Sequence, residues 1–148
     1  MGPKGRMTGA RGLLLATAVG IVGACSRPPP DGTPDGAVRL FLDDMEASND
    51  EPAALRRVYE RLGPAARANL TERARRTSEL QGRHVEPWVM LAAGLFGIAF
   101  RPRTMHGTVV GDHATVEVLG EDPRSQHATV LCVREGHLWR IEPGFPDP

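Results

Sequence analysis

The sequence is poor in aromatic residues, in cysteine and in lysine. Aromatic side chains make up 5% of the 148 residues, and only two cysteines are present. Lys4 is the one lysine, so arginine supplies nearly all of the positive charge. Two cysteines, one of them close to the N-terminus, exclude a small fold held together by disulfides. The 18 basic residues are balanced by 18 acidic ones. The chain therefore lacks the positive excess that phosphate binding needs, and we predict no nucleic-acid partner.

The N-terminal apolar stretch is too short to span a membrane. Residues 13–24 are uncharged, and a helix of that length covers about 18 Å of a hydrocarbon core that is ~30 Å thick. The residues before it are basic and contain no acid. A basic region, a short apolar region and small residues before a cut are typical of a secretory signal peptide. Removing residues 1–24 leaves 15 basic against 18 acidic residues.

The end of this leader resembles the lipobox of bacterial lipoproteins. Val22-Gly23-Ala24-Cys25 consists of a branched apolar residue, two small residues and a cysteine. The resemblance implies cleavage between Ala24 and Cys25 and attachment of diacylglycerol to the Cys25 thiol. Two or three acyl chains hold a protein far more firmly than the single chain that binds only marginally. We therefore predict a membrane partner through the acyl chains on Cys25, with an ordinary secretory peptide as the alternative.

A tether and one folded domain are expected after the leader. Residues 26–36 contain four prolines and two glycines and no large apolar side chain, which is typical of a linker. We predict a signal peptide over residues 1–24, an acylated cysteine and tether over 25–36, and a domain over 37–148. Ser26 stands where some bacteria use aspartate to retain lipoproteins in the inner membrane. An extracytoplasmic protein of the outer membrane is therefore favoured over one of the inner membrane.

The first part of the domain has helical periodicity. Thr33-Pro34 is typical of a helix N-cap followed by proline, and the apolar residues after it share one helical stripe. We predict helices over residues 34–48, 52–62 and 64–80, and a short helix over 87–93. Gly63-Pro64 separates the second helix from the third.

In the C-terminal third, four segments are rich in β-branched residues or alternate between apolar and polar residues, which is typical of strands. We therefore predict strands over residues 103–110, 113–119, 127–134 and 138–142. Gly111-Asp112 and Glu135-Gly136 are predicted hairpin turns. The first turn pairs Val109 with Ala114, and the second pairs Cys132 with Trp139 and Val130 with Ile141. Helices followed by antiparallel strands predict an α+β fold.

Several segments resemble small bacterial lipoproteins that carry a domain of unknown function related to the NTF2-like fold. The most specific is the closing stretch, residues 133–141, with its turn, tryptophan and Arg-Ile pair. The others are residues 34–48, 62–67 and 111–116. The resemblance implies N-terminal helices packed on a curved four-stranded antiparallel meander, in the shape of a cone. Relatives of that fold include enzymes and plain binding domains, so the fold implies no particular activity.

Two groups of apolar residues are candidate binding surfaces. Leu131, Val133 and Leu138 are predicted to form an apolar patch on the face of the sheet away from the core. A homodimer or another envelope protein would use this patch, unless the segment around Phe145 covers it. Tyr59, Trp88 and Trp139 are candidates for lining a ligand cup, although ordinary core packing explains them equally well.

The sequence does not contain a recognisable catalytic or metal-binding pattern. Cys132 is predicted to be a small buried apolar residue, and the four histidines of the strand region are expected to be exposed, with no metal site. An isomerase of the cone class would need an acid inside the cup, and the predicted core face of the sheet has none. We therefore expect no cofactor and no enzyme activity. The first hypothesis is a non-catalytic binding or assembly module of the cell envelope, and the alternative is a small-molecule binder or enzyme that uses the apolar cone interior.

Overall fold

The computed structural model describes residues 28–91 and 98–145. Within these ranges the chain forms three α-helices followed by one antiparallel sheet, which confirms the α+β prediction. The elements are a 3-10 turn Pro30–Gly32, α1 Pro34–Ala47, α2 Ala54–Glu60, α3 Pro64–Gln81, a second 3-10 turn Pro87–Met90, β1 Thr104–Val110, β2 His113–Leu119, β3 His127–Glu135 and β4 Leu138–Ile141. The predicted leader, with Ala24 and Cys25, and the end of the short helix at residues 92–93 lie outside the described residues.

Helix α1 begins where its capping residues place it. Thr33 has extended backbone angles, and its Oγ1 accepts a hydrogen bond from the Gly36 N–H at 3.2 Å. Pro34 follows at the first helical position, where its missing N–H is not needed. The predicted apolar stripe is buried, with Val38 fully enclosed and Phe41 3% exposed. α1 therefore turns one face towards the sheet, and it contacts β1, β2 and β4.

The other helices differ slightly from their predicted bounds. α2 spans Ala54–Glu60 rather than residues 52–62, and no side chain caps its N-terminus. α3 ends at Gln81, and Gly82 follows with a φ of +64°, the left-handed conformation that glycine adopts readily at a helix end. The short predicted helix is a 3-10 turn over Pro87–Met90.

The sheet is a meander in the order β1-β2-β3-β4. The predicted register of the first hairpin is confirmed, since Val109 pairs with Ala114 and Gly107 with Val116. Its turn is Gly111-Asp112, and Gly111 has a φ of +61°. The face that carries the fully buried Val116 and Val118 is called the core face, and the opposite face is called the outer face.

The predicted register of the second hairpin is wrong. Cys132 pairs with Ile141 rather than with Trp139, and Trp139 pairs with Arg134. The turn consists of Gly136 and His137, one residue later than predicted. Gly136 has a φ of +65°, so the glycine occupies the first turn position, as Gly111 does in the other hairpin. The shift moves β4 by two residues along β3, and Trp139 and Ile141 therefore keep the predicted core face.

The outer edge of β4 is partly covered by the junction between α2 and α3. The Ile141 N–H donates to the Arg61 carbonyl at 2.9 Å, and the Gly63 N–H donates to the Ile141 carbonyl at 2.7 Å. Leu62 is fully buried at this junction. The pairing satisfies backbone groups that an open edge strand would expose. It also fixes the start of α3 beside the sheet.

The folded unit begins before the predicted boundary at residue 37. Asp31 lies in the 3-10 turn Pro30–Gly32, which contacts both α1 and β4. Its carboxylate accepts a hydrogen bond from the Arg140 guanidinium of β4 at 2.8 Å, and the two side chains are 14% and 15% exposed. Residues 30–36 were predicted as part of the tether from their composition. The Asp31–Arg140 ion pair instead holds the start of this segment against the sheet.

The close approach of Pro30–Gly32 to α1 predicts an unusual effect of alanine in a helix. A Cβ at Gly36 would lie 1.7 Å from the Pro30 carbonyl oxygen, whereas a Cβ at Gly32 would lie 3.8 Å from its nearest neighbour. Alanine normally stabilises a helix interior by about 1 kcal/mol over glycine. We expect Gly36→Ala instead to lower the free energy of unfolding by about 1–3 kcal/mol, because the backbone must move.

Urea unfolding followed by tryptophan fluorescence measures this effect, with Gly32→Ala as the matched control. The control should stay within about 0.5 kcal/mol of the parent. A Gly36→Ala protein as stable as the parent would show that Pro30–Gly32 does not pack on α1 in solution.

Candidate functional site

An open cleft lies between the C-terminal half of α1 and the segment that leads into β1. Its volume is about 680 Å³, within the range of small-molecule sites. The floor is apolar, and charged side chains stand around it. The apolar lining residues are Leu42, Met45, Ile98, Phe100 and Met105, and the charged ones are Arg39, Asp43, Glu46 and Arg101.

The periodicity of α1 brings one wall of this cleft together. Arg39, Asp43 and Glu46 are spaced by four and three residues, so they lie along one side of the helix. Leu42 stands between them and packs against the buried core. Met105 comes from β1 and shares the core face with Gly107. The cleft is thus the open end of the interface between α1 and the sheet.

The charges at the cleft are not neutralised by each other. Arg39, Asp43, Glu46 and Arg101 form no ion pair with any residue in the described ranges. Elsewhere in the helices many arginines are paired, as Arg76 is with Glu72, four residues earlier on α3, at 2.8 Å. Both signs of charge at the cleft are therefore available to a bound molecule.

A buried carboxylate on α1 fixes the helix that forms this wall. Asp44 is 9% exposed. Its oxygens accept hydrogen bonds from Arg57 Nε at 2.8 Å and from Arg61 Nε at 2.5 Å. Burial, the largest influence, raises the pKa of Asp44, but the two arginines together outweigh it and hold this pKa below its usual value. Arg57 also binds Glu51.

A second ionic cluster joins the N-terminal segment to β3, β4 and α3. Glu135 binds Arg67 of α3 at 2.5 Å and Arg140 of β4 at 3.2 Å. Arg140 in turn binds Asp31. Because the hydrogen bond from Arg67 dominates, the pKa of Glu135 is lowered. This cluster therefore ties four elements together at the β4 edge.

The predicted cup residues do not line the cleft. Tyr59 and Trp88 come together edge to face, with ring centroids 6.4 Å apart, and Arg56 lies over the Trp88 ring. The Tyr59 hydroxyl is hydrogen-bonded to Thr71 at 3.1 Å. Trp139 is 2% exposed in the core, with the Arg134 guanidinium 4.9 Å from its ring centroid. Trp139 therefore belongs to the buried core, whereas Tyr59 and Trp88 are partly buried and pack against it.

The cleft residues were missed because the sequence does not mark them. Leu42 and Met45 were predicted as part of the apolar stripe of α1, and nothing in the stripe distinguishes a residue at its open end. The available signal was the set of charges on the flank of that stripe, at Arg39, Asp43 and Glu46.

The predicted patch on the outer face is only partly open. Leu131 is 52% exposed, and Val133 and Leu138 are half-buried. Phe145 packs against the buried core, so it does not enclose Leu131. We refer to Leu131, Val133 and Leu138 as the outer patch.

Cys132 has the environment of a structural residue. It is 1% exposed, and burial raises the pKa of its thiol to about 12, with a further contribution from the Asp35 carboxylate. The core-face positions of the strands contain no acid, as predicted, but Asp35 reaches that face from α1, next to Gly107. Its Oδ1 is buried and has no hydrogen-bond partner among the described residues.

The histidines are exposed, as predicted. In the part of the chain that the structure covers, no three side chains of the metal-ligating types are grouped together. The same part contains no helix that is both long and apolar enough to cross a bilayer. Comparison with family models, curated proteins and solved structures finds no match to this chain.

The position of Asp44 predicts a pH-dependent contribution to stability. Its folded-state pKa is lowered from an ordinary value of 3.8, so the contribution is present above that pH and is lost as pH falls through the folded-state pKa. We expect Asp44→Asn to lower the free energy of unfolding by about 2 kcal/mol at pH 7. The deficit should shrink as the solution is acidified below pH 3.8.

Denaturant unfolding at several pH values tests this expectation, and Asp43→Asn is the matched control. Asp43 is exposed and forms no ion pair with any described residue, so its variant should stay within about 0.5 kcal/mol of the parent. An Asp44→Asn deficit that is constant down to pH 3 would contradict the role of the carboxylate charge.

Proposed function

We propose that this chain is a lipid-anchored extracytoplasmic protein that serves as a non-catalytic binding or assembly module of the bacterial cell envelope. The observation that carries the proposal is the sequence Val22-Gly23-Ala24-Cys25 after a basic and then an apolar leader. Only a thiol at this position forms the thioether to diacylglycerol, and the small residues before it give a peptidase access to the backbone. Ser26 supports an outer-membrane location over an inner-membrane one.

We infer an NTF2-like cone for the folded domain. The α+β order and the four-stranded meander support this assignment. The segments that resemble the lipoprotein domain correspond to α1, the junction of α2 and α3, the start of β2 and the β3-β4 hairpin. The cleft between α1 and β1 is the mouth of the cone in this interpretation.

We propose that the domain binds without catalysing a reaction and without a cofactor or metal. Its one described thiol is buried and protonated, whereas a catalytic cysteine acts as an accessible thiolate. The Tyr59 hydroxyl is engaged by Thr71. A binding module needs only a surface, and the outer patch supplies one for a homodimer, an envelope protein or another partner.

The cleft supports a second candidate function, the binding of a small molecule. Its apolar floor would hold a hydrocarbon or aromatic body, and its unpaired charges would contact polar groups. This is the alternative that uses the cone interior, with Leu42 and Met105 in place of the predicted aromatic residues.

The anchor proposal predicts a complete change of location for Cys25→Ser. A serine cannot form the thioether, so the variant should leave the membrane fraction and stop incorporating labelled palmitate. Cys132→Ala is the matched control because it removes the other cysteine, and it should remain acylated and membrane-bound. Palmitate labelling and intact mass of the extracted protein measure both outcomes. A Cys25→Ser protein that still carries label would refute the proposal.

The cleft predicts saturable binding of a fluorescent apolar probe such as N-phenyl-naphthylamine. Leu42→Gln should weaken this binding about tenfold, since one leucine side chain in contact contributes about 1–2 kcal/mol. Leu131→Gln makes the same chemical change on the outer patch and should leave the affinity unchanged. If the Leu131 variant loses affinity instead, the probe binds the sheet face and the cleft proposal fails.

A further inference from the structure

The two edges of the sheet differ in how they end. At β4, the Ile141 N–H and carbonyl bond to the backbone of Arg61 and Gly63, which cover that edge. At β1, no further strand follows within the described ranges. Val109 occupies an inward position of β1 opposite Ala114, yet it is 49% exposed. The core face is therefore closed at β4 and left open at β1.

The backbone of β1 has unused hydrogen-bonding groups along its open edge. The Gly120 N–H donates to the Gln126 carbonyl, so the even-numbered residues of β2 bond to β3 and the odd-numbered ones bond to β1. Through the β1–β2 register, the odd-numbered residues of β1 then face away from β2. No described residue outside the sheet bonds to their backbone groups. We call these three residues the free edge: Met105, Gly107 and Val109.

The free edge lacks the features that usually prevent a strand from pairing further. Charged side chains, proline, very short strands and covering loops are the common devices. β1 runs for seven residues, Thr104–Val110, and contains no acid, lysine, arginine or proline. Val110 at its end is 74% exposed. A strand of this kind can accept another strand through backbone hydrogen bonds.

A second copy of β1 fits the free edge in the antiparallel direction. When Gly107 of one copy lies opposite Gly107 of the other, Met105 of each copy lies opposite Val109 of the other, and every outward N–H and carbonyl of the free edge gains a partner. Met105 and Val109 are both on the core face, so the pairing joins apolar side chains and covers the open position of Val109. The two-fold axis makes the contact self-complementary and closes it at two copies.

The charges that flank β1 are complementary in the same arrangement. Arg101 and Arg103 precede the strand, and Asp112 follows it. The pairing brings residue 112 of one copy opposite residue 102 of the other, between the two arginines. Arg101 and Asp112 are exposed and form no ion pair with a described residue. The like charge of Asp35 lies below Gly107 near the axis, where its partly exposed side chain lets solvent and salt screen the repulsion.

We propose that β1 pairs with β1 of a second copy of this chain, so that two domains share one continuous antiparallel sheet. The open inward position, the unused backbone groups and the flanking charges each find their counterpart in this one pairing. The inference goes beyond the proposed binding function and does not depend on the lipid anchor. The outer patch remains available to a different partner.

Light scattering of the purified full-length protein in detergent, over a dilution series, tests the pairing by measuring the protein mass. We expect a dimer, and we expect Val109→Lys to raise its dissociation constant about a hundredfold, because the change places an unpaired charge in each of two symmetric apolar contacts. Leu131→Lys is the matched control, since Leu131 is 52% exposed against 49% for Val109 and lies two strands away from β1. The control should remain dimeric.

A distance between spin labels at Thr129→Cys reports the arrangement of the two copies. Thr129 is exposed on β3, whereas Cys132 is 1% exposed and should stay unlabelled, and the mass of the labelled protein counts the labels. Pairing through β1 separates the two β3 strands by five strand spacings, about 24 Å in a flat sheet. Stacking of the two outer faces would instead bring these strands within about 10 Å. Pulsed electron paramagnetic resonance distinguishes the two distances.

A charge exchange keeps the test decisive if Val109→Lys fails to fold. Asp112→Arg alone should raise the dissociation constant about tenfold, and adding Arg101→Asp should restore most of the affinity. A parent protein that is monomeric throughout the dilution series would overturn the proposal, as would a folded Val109→Lys protein that is still fully dimeric. Dissociation by Leu131→Lys instead of Val109→Lys, with the short label distance, would overturn it and assign the dimer to the outer patch.

Discussion

The packing of α1 against the core face of the sheet is the interaction on which the rest of the structure depends. Val38 and Phe41 are enclosed together with Val116 and Val118 in one buried cluster. An amphipathic helix of 14 residues has little stability alone and gains it by burying its apolar stripe. Once α1 lies there, its N-terminus, its charged flank and its C-terminal half each acquire a fixed position relative to the strands.

Two ionic clusters convert that packing into a definite arrangement of helices. Asp44 joins α1 to α2 through Arg57 and Arg61, and Glu135 joins β3 to α3 through Arg67. Arginine suits this role because its planar, always-charged guanidinium donates in several fixed directions, which lysine cannot do. The near absence of lysine thus has a structural counterpart in the helical region. Arg140 extends the second cluster to Asp31 and brings the N-terminal segment against the sheet.

The elements of the fold could be predicted far better than their contacts. Helix α1 and strand β2 follow from capping and alternation, which act between residues close in the chain. The first hairpin was predicted in full because Gly111 opens its turn. The second was misplaced because either residue beside Gly136 could complete a two-residue turn, and a shift of two residues preserves the inward faces of Trp139 and Ile141. Hydrophobic pattern alone does not distinguish the two registers.

The candidate sites also differ in whether the sequence predicts them. The outer patch could be predicted, because alternation along β3 assigns Leu131 and Val133 to one face. The cleft could not be predicted, because it forms where α1 and the segment before β1 diverge. The local sequence of neither segment determines the distance between them. Of the aromatic residues chosen for a cup, Trp139 is buried in the core, and Tyr59 and Trp88 are partly buried and pack against it.

By itself the sequence determined the α+β order of elements and the inward face of each strand, since these depend on local spacing and periodicity. Only the tertiary structure decided that the segment Pro30–Gly32 before helix α1 belongs to the folded domain. Its proline-rich composition is that of a tether, and what holds it is an ion pair between Asp31 and Arg140, which are 109 positions apart in the chain. Such a contact depends on where the folded chain brings two side chains, and local sequence does not contain that information.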